Sequence, residues 1–472
     1  MSASLGTGTR GLVRALAPQL TPASTEAGRI RQLIDNVTTP GSREIWLLFA
    51  VLSRTLPTGP DVDNALRSVR HDGLAPFVRE LLAVRRKPAQ WFVPEIEIIA
   101  EPVLLDVHDS ASSRLMTGVQ RVARSIALEW IERPGVILVG WSTRGTQMLR
   151  INTDAFVSRA RRGLFARRPI VPWGGHFVLA ELVTEPERSA RTQAIADSAG
   201  VRSAFVANDA IPLTTAETTG AGMPGVFAKY LAAASRFDVA ACISQAAAVE
   251  YAGWREMLGS AGLTGPQIAV VPLPLAAGNA PAESEAEARA LLLTGDLPMV
   301  LVVGSHEPRK NHQAVLHAAE VLWREGHEFS LVFIGGNAWN SAEFALRLDE
   351  LQQTGRPVAS HSGLSEPVLW WAYRLAAFSV FPSLNEGFGL PVAESLASGV
   401  PAVTSNFGSM REIAQAGGCV LVDPRSDASI AEGMRSLLTD SELRVTLGAQ
   451  ATARIEPGWG RYADELWHLV LD

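Results

Sequence analysis

Between residues 102 and 422 the chain repeats one pattern: a short apolar run, a small or polar turn, then a stretch with apolar residues at helical spacing. The runs read PVLLDV (102–107), GVILVG, FVLAELV, SAFVA, DVAACI and IAVVPL in a first series, and MVLVVG, SLVFIGG, FSVFP, PAVTS and GCVLV in a second. Short strands alternating with helices build parallel sheets covered on both faces. The small-residue and acidic stretch 276–296, AAGNAPAESEAEARALLLTGD, divides the two series and carries a short helix. The expected fold is therefore α/β, with two Rossmann-like domains facing each other across a cleft. Such sheets take ligands outside the carboxyl ends of their strands, which here means inside that cleft.

The remaining boundaries follow from this frame. Residues 1–98 show apolar spacing of three and four in GLVRALAPQL, AGRIRQLID, REIWLLFAVLSRTL and FVRELLAVRRK, so a helical N-terminal extension without a strand is expected, serving oligomerisation or partner docking. Residues 99–285 form the first domain and 286–455 the second. The last stretch, 456–472, reads as a helix that packs back across the junction.

At 472 residues the chain exceeds the ~150 that one core usually serves. With 47% hydrophobic and 19% charged residues it has the composition of a folded protein. The net charge of -6 sits mainly in residues 286–472, which carry 13 basic and 22 acidic groups and so make a poor nucleic-acid surface. Cys242 and Cys419 are isolated and fit a reducing compartment. No apolar run approaches the ~20 residues of a membrane span, and arginines and prolines break up the first 30 residues, so a cytoplasmic protein without a secretory signal is expected. The nine histidines lack metal-site spacing, and neither a metal nor another cofactor is expected. Of 42 basic residues only Lys87, Lys229 and Lys310 are lysine.

The stretch SLNEGFGLPVAESLASGVP (383–401) joins a strand to a helix through a glycine turn, with Glu386 and Glu394 at its ends. Pro391 suits a first helical turn. Gly387 and Gly389 allow a tight turn that offers backbone N–H groups, and the N-terminus behind them favours an anion such as a diphosphate. The carboxylates then suit sugar and ribose hydroxyls, which are donors. Glu394 also serves as an ordinary helix-stabilising first-turn acid, worth about 0.3–1 kcal/mol.

Extended to PSLNEGFGLPVAESLASGVPAVTSNFGSMREI, this segment resembles the donor-binding signature of the retaining GT-B glycosyltransferases of family GT4, whose E-x7-E motif falls on Glu386 and Glu394. The resemblance continues in LVVGSHEPRKNHQAVLHA (301–318). It implies that Lys310 reaches the donor diphosphate, and that Ser305 stands where relatives often carry an arginine, a charge that neighbouring Arg309 could replace. It places Gly335 in a turn approaching the nucleotide, Gly363 and Leu364 in the base-side loop, and Phe388 and Leu390 beside Gly387 and Gly389 at the phosphate-binding helix start. In the first half, LLDVHDSASSRLMTGVQRVARSI is similar to bacterial polysaccharide mannosyl- and rhamnosyltransferases. This puts Gly118 near the donor phosphates and Arg121 and Arg124 toward the acceptor or the diphosphate. Asp209 in FVANDAIPL matches the family's acidic strand end, with Asn208 where many relatives have histidine or tyrosine. Ser244 matches a serine turn.

The resemblance implies transfer of a sugar, mannose from GDP-mannose as first choice, to a saccharide or lipid-linked acceptor, with Glu386, Lys310 and Asp209 as the catalytic set. The arginine run RARRGLFARR (159–168), with Leu164 and Phe165 inside it, suggests peripheral contact with an anionic membrane or a lipid diphosphate. Two other readings stay open on the residues: a sugar-nucleotide epimerase, and a GT-B scaffold that has lost turnover and binds a partner.

Overall fold

The computed structural model describes residues 3–85, 94–113, 117–454 and 458–471. The end of FVRELLAVRRK, including Lys87, lies outside the described residues, as do positions 114–116 and the junction at 455–457.

Ten strands form the first sheet: β1 (Ala3–Thr7), β2 (Glu97–Ala100), β3 (Val103–Asp106), β4 (Val136–Trp141), β5 (Met148–Ile151), β6 (Phe165–Trp173), β7 (His176–Leu179), β8 (Arg202–Ala207), β9 (Val239–Cys242) and β10 (Gln267–Val270). Their order is β1-β2-β6-β5-β4-β3-β7-β8-β9-β10. From β4 through β3 to β10 the neighbours named in the sequence are parallel, with Leu104 facing Ile137 on one side and Phe177 on the other. The second sheet holds β11 (Met299–Val303), β12 (Ser330–Ile334), β13 (Val358–His361), β14 (Phe378–Phe381), β15 (Ala402–Ser405) and β16 (Cys419–Val422), all parallel, in the order β13-β12-β11-β14-β15-β16. The helix Glu285–Leu292 occupies the connector between the two sheets. The α/β architecture with two facing domains is thus present.

The strand-free expectation for residues 1–98 is corrected. Ala3–Thr7 pairs antiparallel with β2, which itself begins at Glu97. The chain start therefore forms an edge of the sheet. Five helices follow, Gly8–Leu16, Glu26–Asn36, Ser42–Ser53, Gly59–Asp72 and Leu74–Arg85. The fourth was not expected; its start is set by Thr58, whose N–H donates to Asp61 at 2.8 Å. Leu12, Trp46, Leu47 and Val78 are buried in the same apolar cluster as Leu104 and Leu105 of β3. The helix Ser42–Ser53 lies on β6 and on the helix Pro186–Ser198. The apolar faces of these helices are thus turned onto this protein's own sheet.

β5, β6 and β13 also escape the sequence pattern. β6 carries Arg167, Arg168 and two prolines inside FARRPIVPW, residues that seldom populate a strand interior, and its pairing with β5 is irregular. At the other end of the chain, the helix Trp459–Leu471 packs on the first half: Trp130 Nε1 donates to the Ala463 carbonyl at 2.9 Å, and the Trp130 and Trp467 rings meet edge-on at 5.1 Å.

Candidate functional site

Loops after the parallel strands of both sheets meet at the 383–401 segment. Gly389, in the left-handed region at φ 103°, turns the chain into the helix Leu390–Ala397. The backbone N–H groups of Phe388, Gly389 and Leu390 meet no acceptor among the described residues. Gly387 is fixed by a different constraint. A Cβ there would stand 2.2 Å from the Asn208 carbonyl of the first half, and Ser244 Oγ donates to the Gly387 carbonyl at 2.6 Å. Only a residue without a side chain permits this approach. Gly387→Ala is expected to cost about 1–3 kcal/mol by overpacking, checked by urea unfolding of the two proteins side by side.

Three donors converge on Glu386 Oε1: Lys310 Nζ at 2.6 Å, Arg309 Nη1 at 2.7 Å and Ser383 Oγ at 2.7 Å. Burial alone would raise the Glu386 carboxyl, but Arg309 and Lys310 override it and hold it at about 2. Arg309 also pairs with Glu307 at 2.5 Å and donates to the Asn385 carbonyl at 2.8 Å. It thus brings a guanidinium to the loop where Ser305 carries none. Burial and the neighbouring guanidinium lower Lys310. His312, next to it, is kept well below its ordinary range by burial, so the positive charge of this loop comes from Lys310 and Arg309. Gly335 is forced by packing: a Cβ would lie 1.9 Å from the Gly304 carbonyl, so the loops after β11 and β12 run against each other.

Glu394, one turn into the helix, is 4% exposed. One oxygen is ion-paired with Arg121 of the first half, and the other accepts from the Tyr373 hydroxyl at 2.8 Å. Gly118 opens the helix Gly118–Trp130 that bears Arg121, and a Cβ there would stand 3.5 Å from Leu390. Gly118, Arg121, Leu390 and Glu394 therefore form one contact across the cleft. Arg124, one turn beyond Arg121, behaves differently. It is buried and donates to the carbonyls of Phe156 and Val157 at 2.9 and 3.1 Å. Gly363, in the left-handed region at φ 69°, and half-buried Leu364 lie on the loop leading to the helix Glu366–Leu375, which supplies Tyr373.

Asp209 belongs to the group. It faces Arg309 and Glu386 from the loop after β8, and burial, eased by Arg309, pushes its carboxyl up to about 6. Because the folded value lies above the ordinary 3.8, this term favours the fold below pH ~4 and is lost as pH rises through about 6. Asp209→Asn is accordingly expected to melt higher than the parent at pH 8, with the gap closing toward pH 4, as scanning calorimetry across that range would show.

Several residues here were not singled out from the sequence. Glu250 accepts from Ala210 N at 2.8 Å and from Asn385 Nδ2 at 3.0 Å; Glu412 accepts from the N–H groups of Gln245 and Ala246 at 3.1 Å each; Trp339 Nε1 reaches the Thr218 carbonyl at 2.9 Å. All three fasten the halves around the segment. The wall of the first half is a buried charge cluster. Arg188 Nη2 and Nη1 stand 3.0 Å from Asp106 and Asp109, and Trp141 Nε1 donates to Asp106 at 2.7 Å. Glu181 accepts from the N–H groups of Asp109 and Ser110 at 2.7 and 2.6 Å, and burial raises it to about 8.

Within the run 159–168, Leu164 is buried and Phe165 half-buried against His108, so neither is available to enter lipid, while the arginines stay exposed. Among the described residues no helix is long and apolar enough to cross a membrane, and no three His, Cys, Asp or Glu side chains cluster as metal ligands.

The chain also resembles known proteins. Residues 283–454 match the model of the glycosyl transferases group 1 family. The chain is 27% identical over 331 residues to the serotype-specific mannosyltransferase WbdA of Escherichia coli, covering 66% of this chain and 40% of that protein. It is also 34% identical over 143 residues to the O-antigen chain mannosyltransferase B of Escherichia coli, covering 30% of this chain and 37% of the relative. The chain thus spans about 40% of the length of each of these two relatives. Among solved structures it superposes on Anabaena Alr3699/HepE in complex with UDP and glucose, with a TM-score of 0.57, 12% identity, and coverage of 78% and 99%. The sucrose-phosphate synthase of Thermosynechococcus elongatus gives a TM-score of 0.56 at 17% identity, covering 78% and 98%. These two likenesses establish the fold. The chain has the GT-B fold, and its residues 283–454 match the glycosyl transferases group 1 family model.

Proposed function

We propose that this chain is a retaining glycosyltransferase moving a sugar, mannose first, from a nucleotide-diphosphate sugar to a saccharide or lipid-linked acceptor in surface-glycan synthesis at the cytoplasmic side. The observation that carries the reading is the convergence of Lys310 and Arg309 on Glu386, just ahead of three unaccepted N–H groups at a helix start. Cations and oriented amides at one spot match a diphosphate. Both relatives from Escherichia coli are mannosyltransferases by name, which favours mannose, and we take GDP as its carrier.

In this reading the diphosphate lies against Lys310 and the amides of Phe388–Leu390, Glu394 takes ribose hydroxyls, and Glu386 orients the sugar. As the glycosidic C–O bond breaks, negative charge grows on the departing phosphate oxygen. Fixed donors aimed at that oxygen stabilise the transition state more than the ground state. The leaving phosphate receives the acceptor proton, so retention needs no protein nucleophile. Lys310 and Arg309 supply the positive charge without a resident metal. Asp209 lines the sugar position from the first half, and the closed cleft keeps water from the donor.

The test is a melting panel of the full chain with GDP, UDP, dTDP and ADP. A ligand at 100 times its dissociation constant stabilises the native state by about 2.7 kcal/mol, enough to raise the melt by a few degrees. A rise with one nucleotide, GDP expected, supports the reading. No rise with any of the four overturns it.

A further inference from the structure

Beside the cleft, in the first half, lies a cavity of about 380 Å³ walled by Arg124, Arg159 and Arg161 together with Ser110, Ser113 and Phe156. No carboxylate stands among its described lining residues. Arg124 is anchored, with its guanidinium 4.7 Å above the Phe156 ring and on two backbone carbonyls. Arg159 and Arg161 are exposed, and their side chains have no ion pair or hydrogen bond among the described residues. Arg159 also takes a left-handed backbone, φ 56°, where glycine is usual. Burial and the approach of Arg159 both depress Arg124, the sign of two cations sharing a small space. Convergent guanidinium groups of this kind pair with phosphate oxygens in two-pronged, charge-assisted hydrogen bonds.

The placement connects this cavity to the proposed chemistry. Arg121 and Arg124 sit one turn apart on one helix: the first reaches Glu394 of the second half, and the second turns into the cavity. Ser110 and Ser113 follow the carboxyl end of β3, and Arg124 shares its helix with Arg121, so the cavity lies on the cleft side of the domain. A ligand seated there is presented to the cleft from the acceptor side.

We propose that this cavity binds a phosphate group carried by the acceptor, so that the enzyme selects phosphorylated acceptors over neutral ones through Arg159 and Arg161. This rests on the glycosyltransferase reading and adds the substrate class. The phosphate has two possible sources, a lipid diphosphate presented at a membrane or a soluble sugar phosphate. Leu164 and Phe165 are packed inward, and the phosphate chemistry is the same for both.

The test uses the full chain and calorimetric titration with two probes: mannose 6-phosphate in solution, and farnesyl diphosphate carried in phosphatidylcholine vesicles. Mannose and plain vesicles serve as controls. The wild type is expected to bind at least one phosphorylated probe and neither control, and the probe that binds names the source. The double variant R159Q/R161Q is expected to weaken that binding roughly tenfold for each guanidinium removed, while Lys310→Ala leaves it intact. Should the double variant melt early, Arg161→Gln alone carries the test. Equal binding by wild type and variant overturns the proposal. So does loss that follows Lys310 instead, or failure of the wild type to bind either phosphorylated probe. The nucleotide panel is read on the same double variant. A retained nucleotide shift with lost phosphate discrimination supports this proposal. A missing nucleotide shift in the wild type, with arginine-dependent phosphate binding, fails the donor reading and leaves this one standing.

Discussion

Lys310→Ala is expected to lower kcat/KM for sugar transfer by about 10²–10³-fold and to abolish the nucleotide-dependent rise in melting temperature. The ammonium lies 2.6 Å from Glu386 at the carboxyl end of the second sheet, where the leaving diphosphate would gain charge. Its removal takes away a compact point charge and leaves the guanidinium of Arg309, held by Glu307 and the Asn385 carbonyl, in an orientation it cannot change cheaply. The fold should survive, because Glu386 keeps Arg309 and Ser383 as partners. Steady-state kinetics and the melting panel on the same preparation decide the matter. A variant that folds, keeps the nucleotide shift and transfers at the parental rate would remove Lys310 from the mechanism.

Arg188→Met is expected to destabilise the protein by about 3–5 kcal/mol, the largest loss anticipated for any single change here. Asp106 is fully buried and Arg188 nearly so, and the guanidinium also holds Asp109 at 3.0 Å. Deleting the cation leaves the buried Asp106 carboxylate with the neutral N–H groups of Trp141 and His108 in place of a charge, beside Glu181, which burial already makes difficult to ionise. Replacing Asp106 by Asn in the same chain should recover much of the loss, because it removes the uncompensated charge. Urea unfolding of the single and double variants measures both. The exposed pair Arg435–Glu325, at 2.9 Å, gives the contrast: breaking it should cost below about 1 kcal/mol.

The alternation of strands and helices made most of the parallel strands in both sheets legible, because strands buried on both faces are apolar throughout. β1 and β6 were hidden for the opposite reason. An edge strand of small residues and a strand carrying paired arginines and prolines owe their conformation to neighbours distant in sequence. At the site, Glu386, Glu394 and the glycines stood out because a turn, a helix start and an anion site impose local demands. Lys310 lies 76 residues from Glu386, and only the family resemblance put the two together. Arg188, Tyr373, Glu250 and Glu412 sit in ordinary helices, where PERSAR reads as a solvated face and WWAYRL as core. Their roles are set by partners that periodicity does not name.

If the proposed function holds, the bridge between Arg121 and Glu394 makes nucleotide entry and the separation of the two halves a single equilibrium. In the proposed reading, the carboxylate that receives the ribose is the one that ties the halves together, so every molecule with the bridge formed is one the nucleotide has to wait for. If one molecule in ten is open, the measured dissociation constant is about tenfold weaker than the site's intrinsic value. On the same reading the coupling would also work on departure: once product had left, the bridge would re-form and reset the cleft, so the resting enzyme would guard its own donor site.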